Sequence, residues 1–113
     1  MLMLFEAPDG PPVVQQLNAA DLQEHAVAME AVARDVQRLG AEAVIFIAEM
    51  RRANTEEAEL LVAAATRDGQ RRQWRSPIHR DGRKVTLGPA QVVDGVLPDA
   101  LAAVGRAWEL AAR

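Results

Sequence analysis

Hydrophobic residues recur along this chain in three different rhythms, and each rhythm predicts a different element. Met1 to Phe5 is an almost unbroken apolar run, followed by Ala7-Pro8-Asp9-Gly10-Pro11-Pro12 and then by Val13 to Leu17. Asp-Gly between apolar runs marks a chain reversal, because glycine supplies the positive φ that a tight hairpin needs. The segment therefore reads as a strand, a rigid proline-flanked turn and a short return strand. A helical rhythm follows. Leu22, Ala26, Met29, Ala33 and Val36 recur at steps of three and four, with Val32 and Leu39 beside the stripe and Glu24, Glu30, Arg34, Asp35 and Arg38 elsewhere. This spacing predicts an amphipathic helix that starts at Asn18 or Asp21 and ends at Gly40, a natural residue just past a helix. Asp21 and Glu24 have the spacing of a capping box.

From Ala43 onward the rhythm is that of strands. Val44-Ile45-Phe46-Ile47 lies in the apolar run 43–50, and 58–66 is apolar at both odd and even positions, so both segments read as central strands covered on two faces. Arg51 to Glu57 forms the polar turn between them. After Asp68-Gly69 the pattern becomes one-sided. Trp74 and Ile78 fall on one face with Arg72, Ser76 and Arg80, while Arg71, Gln73, Arg75, Pro77 and His79 share the other. After Asp81-Gly82, Val85 and Leu87 alternate with Lys84 and Thr86, and Gly88-Pro89 ends the sheet. Pro77 suggests an edge or a bulge. Pro98 then suits a first helical turn, with Leu97, Leu101, Val104, Trp108 and Ala111 as its stripe. Gly105 within that helix costs about 1 kcal/mol against alanine, which suggests a close backbone approach there.

These elements predict an α+β fold over residues 1–113, treated as one domain. It has an antiparallel meander of about four strands plus a short N-terminal hairpin, packed with two amphipathic helices in the order β-β-α-β-β-β-β-α. Two helices side by side cover ~20 Å, about the width of four strands at ~4.8 Å spacing. Strands 43–50 and 58–66 present apolar residues on both faces, however. Either the helices lie on opposite faces, or a second copy of the chain supplies the second cover. We expect a homodimer, with Ile45, Ile47, Leu61 and Trp108 as interface candidates.

Composition changes this picture little. The 113 residues carry a net charge of −3 and are half hydrophobic, which excludes a wholly disordered chain. No cysteine is present, so disulfides, thiolate metal sites and thiol nucleophiles are excluded. Alanine fills 22 positions and arginine outnumbers lysine twelve to one, a bias that reads as bacterial base composition. No apolar run approaches the ~20 residues that span a bilayer. Met1 to Phe5 is too short for a signal-peptide core. The expectation is a cytoplasmic protein without a membrane partner.

Charge does single out one segment. Between Arg67 and Lys84 there are seven basic residues and two acids, whereas the remainder carries six bases and fourteen acids. Arginine's planar fork suits phosphate or carboxylate. Arg71, Arg75 and His79, with Arg51, are therefore candidates for an anionic ligand or an acidic protein surface. Nucleic acid is disfavoured by the acidity of the whole chain. Charge on an outer strand also serves simply to discourage aggregation.

Catalytic spacings are absent: there is no Gly-rich phosphate loop, no His-Glu-x-x-His and no Gly-x-Ser-x-Gly. No cofactor and no metal site is expected. Glu49 stands out because it follows Ile45 and Ile47 on one face of an apolar strand, where a carboxylate must be paired, emerge into solvent or be abnormally protonated. The expected partners are Arg51, Arg67 or Arg71. A small enzyme using Glu49 and His79 is the catalytic alternative to a non-catalytic interaction domain.

Overall fold

A computed structural model of the chain describes residues 2–16, 22–51, 57–94 and 98–111. Strands β1 (Leu2–Glu6) and β2 (Val13–Gln16) form the N-terminal hairpin, and α1 follows over Leu22–Leu39. Strands β3 (Ala43–Arg51), β4 (Ala58–Thr66), β5 (Arg71–Asp81) and β6 (Lys84–Leu87) form the meander. A two-residue strand, β7 (Gln91–Val92), precedes α2 (Asp99–Ala111). The α+β architecture and element order are those expected, with β7 added and more strands in one sheet than a four-stranded meander. The helix start expected at Asn18 or Asp21 and the stripe residue Leu97 lie outside the described residues.

All strands join one antiparallel sheet in the order β2-β1-β3-β4-β5-β6, with β7 pairing β5. β7 meets β5 at Trp74 and Arg75 on the side that β6 occupies from Ile78 to Asp81. The hairpin attaches through β1 to β3, with Leu2 opposite Ile47 and Glu6 opposite Ala43. Nine consecutive residue pairs, from Ala43–Thr66 to Arg51–Ala58, join β3 to β4.

Turn chemistry follows the glycines. Gly82 has φ 60° and occupies the first of two turn residues between the paired Asp81 and Lys84, the position that a type II′ turn reserves for glycine. Gly40, with φ 62°, ends α1 in the left-handed region, as a C′ glycine does. Pro77 sits inside β5 rather than on an edge strand. Its carbonyl accepts from Gly88 N–H at 2.8 Å, one step beyond the end of β6. Its missing N–H faces the same way, toward Gly88, so the reciprocal bond of that antiparallel pair is not made.

Both helices lie on the same face of the sheet. The core joins Met3, Phe5, Val44, Phe46, Ala48, Leu61, Ala63 and Ala65 of the sheet to Val32 and Val36 of α1 and to Leu101, Val104, Ala107 and Trp108 of α2. Alanines at 63 and 65 keep that face of β4 low where α2 crosses β3 and β4. His25 near the start of α1 reaches Asp99 at the start of α2, 3.1 Å away, and Trp108 near the end of α2 reaches the carbonyl of Ala41 just past α1. The two helices therefore run in the same direction. The buried stripe of α1 is rotated from the expected one: Val32 is fully buried, whereas Ala26 is exposed.

The sheet's outer strands, β2 on one side and β6 and β7 on the other, are short. β2 is entered through Pro11-Pro12, and β6 carries Lys84 with Arg83 in its turn, all exposed. The β5–β6 hairpin overhangs the start of β4, where Ala58 is level with Ile78. This overhang lengthens the molecule: its radius of gyration is 15.0 Å, against about 13 Å for a compact domain of this size.

Gly105 does not mark a close backbone approach. A methyl group placed there would meet only the Arg71 guanidinium, at 3.8 Å, an ordinary contact. Gly105→Ala should therefore raise the unfolding free energy by about 1 kcal/mol, read from the urea midpoint, because the helix interior disfavours glycine. A destabilised variant would show that the glycine has a packing role.

Candidate functional site

Strand alternation assigns every residue of the sheet to one of two faces, and the register fixes which residues share them. The face opposite the helices carries Leu2 and Leu4 of β1, Ile45 and Ile47 of β3, and Leu60 and Val62 of β4. Trp74 and Ile78 of β5 complete it. One register line crosses the whole sheet on this side: Gln16, Leu2, Ile47, Val62, Trp74 and Val92. The residues in the middle of this face are half-buried by their neighbours. Those at its two sides stand clear, Leu2 and Val14 on one, Val85, Leu87 and Val92 on the other. No described helix covers this face.

Its one described ion pair is Glu49 with Arg80, whose Nη2 donates to Oε1 at 2.8 Å. Glu49 is level with Leu60 on β4, and Arg80 projects from the overhanging part of β5, so the pair crosses β4 diagonally. Both side chains remain about half exposed. The partner of Glu49 is therefore Arg80, rather than Arg67 or Arg71. The side chain of Arg51 lies outside the described residues, and its register position is on this same face.

The other predicted residues fall elsewhere. Leu61 is 3% exposed and Trp108 7%. Both belong to the core beneath the helices, which removes them from any surface a partner would meet. For Leu61 the reason is parity: Ile47 pairs with Val62, so Val62 shares its face and Leu61 points to the other. The Trp108 indole N–H donates to the Ala41 carbonyl at 2.8 Å, tying the end of α2 to the segment between α1 and β3. Trp74 is the tryptophan on the open face, and it does not join the core.

The basic face of β5 is largely occupied. The Arg71 guanidinium lies 5.5 Å from the Trp108 ring centroid and donates to the carbonyls of Thr66 and Gln70 at 2.7 and 2.8 Å. Arg75 approaches the Glu59 carboxylate at 3.7 Å. Gln73 between them is buried. Arg71 thus ties the sheet to α2 and Arg75 ties β5 to β4, whereas His79 makes no described hydrogen bond or ion pair. His79 and Glu49 sit on opposite faces, so the pair weighed for catalysis is not brought together. The carboxylates beside His79 are Glu57 and Glu59, around a cleft of about 280 Å³ that Ala58, Pro77 and Ile78 complete.

A larger, shallow depression of about 620 Å³ lies at the opposite end of the strands, among Glu6, Glu42, Thr66, Arg67 and Asp68. Among the described residues no group of three or more histidine or carboxylate side chains is arranged to hold a metal ion. No described helix is long and apolar enough to cross a membrane. Sequence reasoning missed Val62, Leu60 and Leu2 as open-face residues. Their signal was the pairing register, which periodicity along one strand does not contain.

If Trp108 is an internal strut, Trp108→Phe should lower the unfolding free energy by about 1–3 kcal/mol through the lost buried hydrogen bond. It should leave the oligomeric state unchanged in light scattering; a change of state with full stability would return Trp108 to the surface. No protein-family model matches the sequence, and neither a curated protein nor a solved structure is significantly similar to it.

Proposed function

We propose that this chain is a non-catalytic interaction domain that self-associates through the open face of its sheet. The observation that carries the reading is the apolar line Leu2, Ile47, Val62 and Trp74 on a face that neither helix covers. A contiguous apolar patch above a few hundred Å² is unusual on a monomer. The face has room for a stable contact. Six strands at ~4.8 Å spacing span ~24 Å, and the central strands run ~30 Å. Allowing for the staggered outline, the projection is on the order of 600 Å², and side chains expose more than their projection. Each partner in a standard interface buries about 800 Å².

A second copy fits better than a partner of one charge. Besides the Glu49–Arg80 pair, the face carries Glu6, Arg72 and the register position of Arg51, so its charges are of mixed sign rather than of one. Covering an existing ion pair also costs less than covering a lone charge. The anion-binding alternative draws on arginines that already hold Trp108, Thr66 and Glu59.

Light scattering at micromolar concentration should report about twice the chain mass of 12.3 kDa. Ile47→Lys should weaken the association at least ~100-fold while leaving the circular dichroism spectrum intact, because it places an unpaired ammonium in the middle of the contact. A wild-type chain that scatters as a monomer removes the proposal.

A further inference from the structure

The open face also constrains how two copies meet, an inference that rests on the self-association proposed above. We infer that they stack as a two-fold sandwich whose axis runs along the strands between β3 and β4, so that β7 and β5 of one copy lie over β2 and β1 of the other. The argument is the outline of the sheet. β1 and β2 pair only along the stretch of β3 from Ala43 to Ile47, and β7 pairs β5 at Trp74 and Arg75, level with Ile47 and Ala48, with Val93 N–H donating to Gln73 one level further. These two wings sit on opposite sides of the central pair β3–β4 at overlapping heights along the strands. Rotation about the strand direction exchanges the wings and stacks one on the other. Rotation about an axis across the strands at mid-strand instead sets β7 over its own counterpart and carries β1 and β2 toward the Arg51 end, beyond the last residues of their own copies, which leaves that wing uncovered.

The side chains match this exchange. Along the line that crosses the sheet, the rotation sets Ile47 over Val62 and Leu2 over Trp74, apolar on apolar at the two inner steps, with Gln16 over Val92 at the rim. The two most exposed apolar residues of the wings, Val14 at 59% and Val92 at 69%, then face opposite wings of the partner. Aligned sheets pack ~10 Å apart with strands rotated by about 30°, which keeps these wings in register within a residue or two.

The chain has no cysteine, so single thiols can be placed cleanly. Val14 and Val92 lie five strand spacings apart within one chain, about 24 Å, beyond the reach of a short bis-maleimide. The double variant V14C/V92C should become a covalent dimer with that reagent, with at least a tenfold higher yield than V14C or V92C alone. If either single variant cross-links as well as the double, like residues face each other and the arrangement is overturned, while self-association stands. If the chain scatters as a dimer and none of the three cross-links, the arrangement is again overturned. A wild-type chain that scatters as a monomer removes both proposals. Should V14C fail to fold, L2C/V92C reads the same contact from the neighbouring strand.

Discussion

Nine consecutive antiparallel pairs between β3 and β4 set the terms for everything else in this molecule. Each strand is apolar at odd and even positions, so their pairing creates two surfaces that water disfavours. The described residues include two amphipathic helices with which to cover them. Because α1 and α2 lie side by side and run in the same direction, both are spent on one surface, where Met3, Phe5, Val44 and Phe46 meet Leu101, Val104 and Trp108. The second surface follows from that economy. It is a consequence of the core's arrangement, and its chemistry is that of a buried face.

The basic segment is shaped by the same constraint. Its residues look like a docking strip in one dimension, but in three they divide: Arg71 reaches α2, Arg75 reaches β4, Arg72 and Arg80 lie on the open face, and Arg83 and Lys84 stand exposed at the β6 turn. Arg71 stacks on Trp108 and satisfies two carbonyls of the preceding turn, and Arg75 approaches the carboxylate of Glu59. Planar guanidinium groups are suited to such roles because they offer several fixed donors and an apolar face at once. Charge concentrated along a sequence is therefore here spread over both faces of the sheet, with Arg71 and Arg75 as its braces.

Much of the fold was legible from periodicity. Helix α1 declared itself through its three- and four-residue steps, and β3 and β4 through their length and β-branched content. The turns at Asp68-Gly69 and Asp81-Gly82 placed the hairpins. What remained hidden depended on register and on contacts distant in sequence. Alternation told that Leu60 and Val62 oppose Leu61 and Ala63, but the choice of face required knowing that Val62 pairs with Ile47. The same gap hid Arg80 as the partner of Glu49, thirty-one residues away and two strands across. β7 escaped notice because two residues carry no periodicity. Trp108 was read as part of an apolar stripe, and its burial with Ala107 and its hydrogen bond to Ala41 show that the stripe faces inward at that end.

The outer strands of the sheet bear on how far any assembly can grow. Paired prolines precede β2, and a lysine and an arginine stand at the β6 turn. Such residues oppose sideways addition of further strands, since proline lacks a donor and like charges repel across a new edge. Growth in the plane of the sheet is thus opposed at β2 and β6, and on the remaining edge β7 offers only two residues, while contact perpendicular to the sheet is open. A chain built this way can bury its sticky surface once and stop, which separates a finite particle from a fibre.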